Sequence, residues 1–212
     1  SALADIGADL ARGEPMMRLV QGDVGSGKTV VAAVAVLRAV AAGCQAAVMA
    51  PTELLAEQHR RSFERWFRPL GIDIAWLSGS MPKRLRESTY AALADGSVPV
   101  VVGTHALFQP GLEFQRLALT VVDEQHRFGV QQRLRLVEKG SGGDGGLRPH
   151  QLVLTATPIP RTLAMTLYAD LDLSVIRGLP PGRTPITTVA LPERRRPDVV
   201  ARVRDACVGG AR

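Results

Sequence analysis

The sequence lacks asparagine altogether and has few aromatic and cysteine residues. Aromatic residues make up 4% of the chain, which suits helices packed closely on a sheet better than an all-β sandwich. The two cysteines, Cys44 and Cys207, are too few for a disulfide framework and fit a reducing cytosol. The four histidines have no zinc-binding spacing. No apolar run approaches the roughly 18 residues of a membrane-spanning helix, so no membrane partner is expected.

The residues that are abundant predict an α/β domain. Hydrophobic residues form 46% of the 212-residue chain, enough for a substantial core. Segments typical of strands and helices alternate, which favours a mainly parallel sheet with helices on both faces. The formal net charge of +6 fits a phosphate-rich partner, although a plain soluble surface is the more common explanation of a basic balance.

The strongest motif is a glycine-rich phosphate loop between a predicted strand and a predicted helix. It matches the pattern G-x-x-x-x-G-K-[ST] in full. Its residues are Gly22, Asp23, Val24, Gly25, Ser26, Gly27, Lys28 and Thr29. Backbone N–H groups and the helix dipole can bind an anion there, while Lys28 contacts phosphates and Thr29 offers a hydroxyl to Mg²⁺. A chance match is improbable in this context.

Two acidic residues follow the apolar segment Leu117–Val122. Asp123 and Glu124 would therefore lie at the carboxyl end of a strand, where open α/β sheets bind ligands. Asp123 is a candidate Mg²⁺ ligand and Glu124 a candidate base for the attacking water. Without the phosphate loop, an acidic helix start would explain them equally well. We expect Lys28, Asp123 and Glu124 to converge across adjacent strand ends.

Three further loops carry weaker signals. Thr155 and Thr157 follow another predicted strand, so their hydroxyls can bond acidic groups of the neighbouring strand, although an ordinary turn also fits. The other two loops open predicted helices and suit a nucleic-acid backbone, but plain helix capping is an equal alternative. Their residues are Pro51, Thr52, Thr104 and His105.

Together these segments resemble the RecG family of bacterial superfamily 2 DNA helicases. GDVGSGKT, APTELLAEQH, VVGTHAL, VVDEQHRFGVQQR and LTATPIPRTLAMTLYADLDLSVI occur in the order of helicase motifs I, Ia, Ib, II and III. The related Mfd family shares RFGV and TATPIPRTL but typically reads DEEH, so Gln125 favours RecG. The PriA family also carries DEEH and lacks the RFGV continuation.

The resemblance implies an ATP-dependent helicase with ATP and Mg²⁺ as cofactors. Residues 1–178 would form the first RecA-like domain, and residues 179–212 a linker and the start of a second one. It gives catalytic roles to Lys28, Asp123 and Glu124. It assigns binding of the metal ion to Thr29 and Asp123. It assigns coupling of hydrolysis to movement to Gln125, His126, Thr155 and Thr157. It assigns contacts with the DNA backbone to Pro51, Thr52, Thr104 and His105.

The resemblance also implies the partners and the setting. The expected partners are branched DNA, such as forks and Holliday junctions, and the second RecA-like domain of the same chain. A monomer in the bacterial cytoplasm, associated with the nucleoid, is expected. Arginine fingers of the second domain would complete the site, so the 212-residue chain alone should bind nucleotide weakly and turn it over negligibly.

Other classes of protein remain as alternatives. A GTPase is excluded because its Asn-Lys-x-Asp signature needs asparagine, and a kinase would not need a glutamate beside Asp123. A nucleotide-switched binding module without catalysis and an Mfd-like duplex translocase stay open. Replacing Glu124 by Gln tests the first of these, and assays of branched-DNA unwinding test the second.

Overall fold

The computed structural model describes residues 1–124, 148–157, 171–177 and 188–210. It divides into two units, Ser1–Pro180 and Pro181–Arg212. The described strands are β1 Met17–Gly22, β2 Gln45–Met49, β3 Ile74–Leu77, β4 Val100–Gly103, β5 Leu117–Asp123, β6 His150–Thr155 and β7 Asp172–Ile176. The described helices of the first unit are α1 Ala2–Leu10, α2 Lys28–Ala41, α3 Glu53–Phe67 and α4 Lys83–Ala94. In the second unit, the 3-10 turn Glu193–Arg195 precedes α5, Arg196–Val208.

The seven strands form one sheet in the order β3-β4-β2-β5-β6-β1-β7. Every neighbouring pair is parallel, so all carboxyl ends lie along the same edge of the sheet. The expectation that the phosphate loop and the acidic pair follow adjacent strands is wrong. Strand β6 lies between β1 and β5, and its end therefore stands between the two motifs.

Apolar residues form a core on each face of the sheet. Along β2, Ala46 and Val48 belong to one cluster, whereas Ala47 and Met49 belong to the other. Helices α1, α2 and α3 supply the first cluster, and α4 with the segment 106–114 supplies the second. All five residues of β2 are buried, as expected for a central parallel strand with both faces covered. The predicted α/β class with helices on both faces is confirmed.

A buried ionic network fixes α1 to the sheet. The Arg18 guanidinium of β1 donates through Nε to Asp9 of α1 at 2.5 Å and through an Nη nitrogen to the Ser174 hydroxyl of β7 at 2.9 Å. Ser174 in turn donates to Asp5 at 2.9 Å. Asp9 is 3% exposed and Arg18 is 8% exposed. The network therefore joins β1, the strand that leads into the phosphate loop, to helix α1 and to strand β7.

Cys44 and Cys207 are free thiols. Within the described ranges, no helix combines the length and the apolar character needed to cross a membrane. The predicted domain boundary after residue 178 stays a prediction.

Candidate nucleotide-binding site

The phosphate loop joins the end of β1 to the start of α2. Gly27 is the residue before the helix and has a left-handed φ of 94°. A Cβ at Gly22 would lie 2.5 Å from the Ser26 hydroxyl and 3.1 Å from Ile176, so a larger residue there would displace the Ser26 side chain of the loop. No side chain caps α2, which leaves its first backbone N–H groups available to an anion.

The side chain of Lys28 lies along the inside of this loop. Its ammonium group donates to the carbonyl oxygens of Gly22 at 2.7 Å and Asp23 at 3.0 Å. The positive charge is therefore held at the mouth of the loop by two neutral acceptors. A phosphate oxygen is a stronger, charged acceptor and can replace them. Thr29 follows Lys28 in the first turn of α2, as predicted for the residue that offers its hydroxyl to a metal.

Asp123 is the last residue of β5, on the same edge of the sheet. Its Oδ2 accepts a hydrogen bond of 2.7 Å from Nε2 of His59 in α3. Glu124 follows with a φ of 50°, the one positive φ of a described residue other than glycine, and its N–H donates to the Leu154 carbonyl of β6. Backbone in this sparsely populated region is a feature of functional sites.

Strand β6 connects Glu124 to the threonine motif. The Glu124 carboxylate accepts from the Ala156 N–H at 3.1 Å and from the Thr155 hydroxyl at 3.4 Å. Thr157 donates its backbone N–H to the Thr155 hydroxyl at 3.1 Å. The predicted contact between a hydroxyl of this motif and an acidic residue of the neighbouring strand is therefore present, through Thr155. Gln125 and His126 lie outside the described residues.

The residues present fit a nucleotide with Mg²⁺. The Ser26 hydroxyl oxygen is buried and has no hydrogen-bond partner among the described residues. Within the same residues, and apart from the chain neighbours of Gly27, no heavy atom lies within 4 Å of the position of a Cβ on Gly27. In the described part of the chain, no group of three or more His, Cys, Asp or Glu side chains could hold a metal. Mg²⁺ characteristically binds through one or two protein oxygens together with substrate phosphates, which matches Thr29 and Asp123.

The candidate DNA loops follow β2 and β4, which are neighbours in the sheet. Thr52 caps α3, because its hydroxyl accepts from the Leu55 N–H at 3.3 Å, and both Pro51 and Thr52 remain accessible. The expected helix after Thr104 is wrong: the segment His105–Phe108 is a short 3-10 turn. The turn ends at Phe108, and the next residue, Gln109, has an extended backbone.

The burial of Thr104 also departs from expectation. The residue is 1% exposed, and its hydroxyl has no partner among the described residues, whereas His105 is exposed. The close approach of β4 to β3 explains the burial: a Cβ on Gly103 would lie 2.2 Å from the Leu77 carbonyl oxygen, and Thr104 donates its N–H to that same carbonyl. A DNA contact by the Thr104 side chain stays a prediction.

Two groups near the site were not singled out from the sequence. His59 contacts Asp123. The signal in the sequence is its helical spacing from Ala56 and Phe63, which places it on the buried face of α3. The Ser80 hydroxyl, in the loop after β3, donates to Glu53 at 2.8 Å. This hydrogen bond lowers the pKa of the Glu53 carboxyl, so Glu53 stays ionised beside the candidate DNA loops.

The strand order, the phosphate loop and the acidic strand end define a P-loop nucleotide-binding domain of the RecA-like type. The sequence profile of the DEAD/DEAH box helicases matches residues 6–166. The chain belongs to the DEAD/DEAH box helicase family.

Curated relatives support a more specific likeness. The ATP-dependent DNA helicase RecG of Escherichia coli O157:H7 is 62% identical over 97% of this chain and 29% of that protein. RecG of Haemophilus influenzae is 60% identical over 99% of this chain and 30% of that protein. The chain thus spans less than a third of the length of these relatives. The resemblance to RecG expected from the motifs is confirmed.

Solved structures agree with the fold. The structure of RecG bound to a three-way DNA junction superimposes with a TM-score of 0.78 and 39% identity, over 99% of this chain and 27% of that one. The yeast DEAD-box splicing factor Prp28 superimposes with a TM-score of 0.62 and 18% identity, over 85% of this chain and 45% of that one. The second likeness concerns the fold alone.

Proposed function

We propose that this chain is the ATP-binding domain of a DNA helicase or translocase that remodels branched DNA, such as replication forks and Holliday junctions, in recombination and repair. The observation that carries the proposal is the common sheet edge on which the Lys28 loop, Asp123 and the Glu124–Thr155 contact lie. A motor needs a phosphate site joined physically to the groups that respond to hydrolysis, and β6 supplies that connection.

Nucleotide binding rests on the phosphate loop. Backbone N–H groups from Gly22 to Thr29 and the start of α2 would bind the phosphates of ATP, with Lys28 exchanging its two carbonyl acceptors for phosphate oxygens. Thr29 and Asp123 would hold Mg²⁺, which supplies neutralisation of the phosphate charge. The Ser26 hydroxyl, which has no partner among the described residues, lies in this loop and would gain one in the bound nucleotide.

Hydrolysis rests on Glu124 and on a second domain. Glu124 would orient the attacking water and accept its proton, and its bonds to Thr155 and Ala156 would transmit the change along the edge of β6. Gln125, His126 and Thr157 would share this coupling role. Arginine fingers supplied by a second RecA-like domain contribute about 10³–10⁵ in rate in related systems. The chain alone therefore binds nucleotide weakly and turns it over negligibly.

DNA would lie along the loops that follow β2 and β4. Pro51, Thr52 and His105 are accessible there, whereas Thr104 is buried. Such loops contact phosphates rather than bases, which suits a motor that must pass any sequence. The net charge of +6 and the likeness to a RecG solved with a three-way DNA junction support branched DNA as the partner. The working form would be a monomer at the bacterial nucleoid.

Binding of a fluorescent, non-hydrolysable ATP analogue tests the nucleotide site. Replacing Lys28 by Ala removes a charge-assisted hydrogen-bond donor, so the Kd should rise roughly 10- to 100-fold. Lys83→Ala is the matched control, because the Lys83 side chain is 81% exposed and, in the part of the chain that the structure describes, its ion pair is with Glu87 of its own helix at 3.7 Å. Equal affinities of the two variants would refute the assignment.

ATPase and unwinding assays test the motor. We expect ATPase stimulated by forked DNA when the chain is joined to a second RecA-like domain of its family, and negligible turnover without it. Substantial DNA-stimulated hydrolysis by residues 1–212 alone would contradict the need for that domain. Displacement of stalled RNA polymerase without unwinding of branched DNA would favour an Mfd-like translocase instead.

A further inference from the structure

The histidine at the centre of α3 makes the closest contact with the candidate metal carboxylate. His59 Nε2 lies 2.7 Å from Asp123 Oδ2, and the two side chains are 10% and 14% exposed. Because an ionised carboxylate can only accept, the ring nitrogen is the donor. Among the described residues, His59 is the single ion-pair partner of Asp123.

We propose that His59 is a positioning residue that holds the Asp123 carboxylate in the orientation needed for Mg²⁺ and so ties helix α3 to the metal site. This inference rests on the proposed role of Asp123 in binding Mg-ATP. Without Mg²⁺, the affinity for nucleotide depends on the phosphate loop. The increase in affinity that Mg²⁺ produces, called here the Mg²⁺ gain, depends in addition on the His59–Asp123 contact.

The geometry gives His59 this task because Asp123 ends its strand. The terminal torsion of an aspartate is broad and roughly two-fold, so a carboxylate at a strand end has no fixed direction of its own. The hydrogen bond engages Oδ2, so Oδ1 would be the oxygen that Asp123 offers to the metal. Partners that orient metal ligands in this way typically change metal affinity by about 10- to 100-fold when they are replaced.

The surroundings of His59 keep the ring in place. It shares the buried face of α3 with Ala56, Phe63 and Phe67. The neighbouring Arg60 is engaged elsewhere, with Glu57 at 2.9 Å and over the ring of Trp76 at 5.4 Å, so it does not compete for Asp123. The packing of α3 on the sheet therefore holds the ring beside Asp123.

Helix α3 also begins at a candidate DNA loop. Thr52 caps the helix and precedes His59 by seven positions in the sequence, which corresponds to about 10 Å along a helix at 1.5 Å per residue. A rigid helix of this length would pass a displacement at Thr52 to the Asp123 carboxylate. The contact would then link the loop after β2 to the candidate metal carboxylate.

Nucleotide affinity with and without Mg²⁺ tests the inference in the 212-residue chain. The Kd of the fluorescent ATP analogue is measured in Mg²⁺ and in EDTA, and the ratio of the two values is compared. His59→Asn shortens the side chain so that its amide cannot reach Asp123, whereas His59→Gln retains a donor of similar reach. We expect the Mg²⁺ gain to fall about tenfold in the Asn variant and to be largely restored in the Gln variant.

Two further variants separate this contact from general packing and from the proposed function. Phe63→Leu perturbs the same buried face and should lower the Tm without changing the Mg²⁺ gain. Asp123→Asn should abolish the gain. If it does so while both His59 variants keep the wild-type ratio, the positioning role is wrong and the metal role of Asp123 stands. If Asp123→Asn itself keeps the ratio, the metal assignment in the proposed function fails.

Discussion

Replacing Arg18 by Met should destabilise the first unit strongly. The change removes the guanidinium that bonds Asp9 and Ser174 and leaves the Asp9 carboxylate, 3% exposed, without its nearest cation. Breaking a buried ion pair from one side costs about 3–5 kcal/mol. Arg12 still lies 3.3 Å from Asp9, but its side chain is 67% exposed, so we expect a value near the lower end, about 3 kcal/mol.

The double variant Arg18→Met with Asp9→Leu is the decisive companion. Removing both charges leaves no ion buried without a partner, and such replacements are often neutral or stabilising. Most of the lost stability should therefore return. The hydrogen bond from Ser174 to Asp5 is independent of both side chains and should persist in each variant.

Urea unfolding followed by tryptophan fluorescence measures these effects. Both tryptophans of the chain, Trp66 in α3 and Trp76 in β3, lie in the first unit, so the signal is confined to it. A loss of about 3 kcal/mol corresponds to a fall in Tm of roughly 6–12 °C for a unit of this size. A cost below about 1 kcal/mol for Arg18→Met, or a double variant less stable than the single one, would refute the reasoning.

Three other predictions follow from the site and the sheet. Glu124→Gln should preserve binding of the ATP analogue but lower turnover by at least about 100-fold in the two-domain protein, because a general base contributes that much. Burial lowers the pKa of His150 from 6.5, and its Nδ1 accepts a backbone N–H. Stability should therefore be full above pH 6.5 and fall as the pH drops below it, because the unfolded chain then binds a proton that the folded chain resists; in urea titrations, His150→Asn should flatten this fall. Gly103→Ala places a Cβ 2.2 Å from the Leu77 carbonyl oxygen and should lower the free energy of unfolding by about 1–3 kcal/mol.

Each of these predictions has a contradicting outcome. ATPase that survives Glu124→Gln would favour a binding module over a motor. Wild-type pH dependence in His150→Asn would assign the acid sensitivity to other groups. Gly13→Ala, with no atom within 4 Å of its Cβ position, should stay within about 0.5 kcal/mol of the wild type, and an equal cost at both glycines would refute the steric argument.

Local patterns in the sequence predicted the local elements well. The bounds of helix α3, Glu53–Phe67, have local signals in the sequence, because Thr52 caps its start and the segment with Pro69 and Gly71 ends it. The phosphate loop lies between β1 and α2 as its motif requires. Helix α1 has a weaker signal in the sequence, the helical spacing of Leu3, Ile6 and Leu10. In the structure Ile6 packs into the core, and Asp9 bonds Arg18 of β1.

The arrangement of the site needed the three-dimensional structure. Strand order depends on which distant segments pair, so the place of β6 between β1 and β5 has no local signature. The left-handed backbone of Glu124 is held by a bond to Leu154 of another strand. The burial of Thr104 follows from the approach of β3 to Gly103, and the partner of His59 is 64 residues away in the sequence.

The pairing of β1 has a consequence for synthesis of the protein. Its two neighbours in the sheet are β6 and β7. Met16, just before β1, donates its N–H to the ring of His150, which lies 134 positions later in the sequence. On the ribosome, β1 therefore emerges long before either of these partner strands. Until then its apolar surface stays open to other chains, a state that attracts chaperones and invites aggregation. A nascent chain stopped before residue 150 would carry the complete phosphate-loop motif on a strand with neither neighbour beside it.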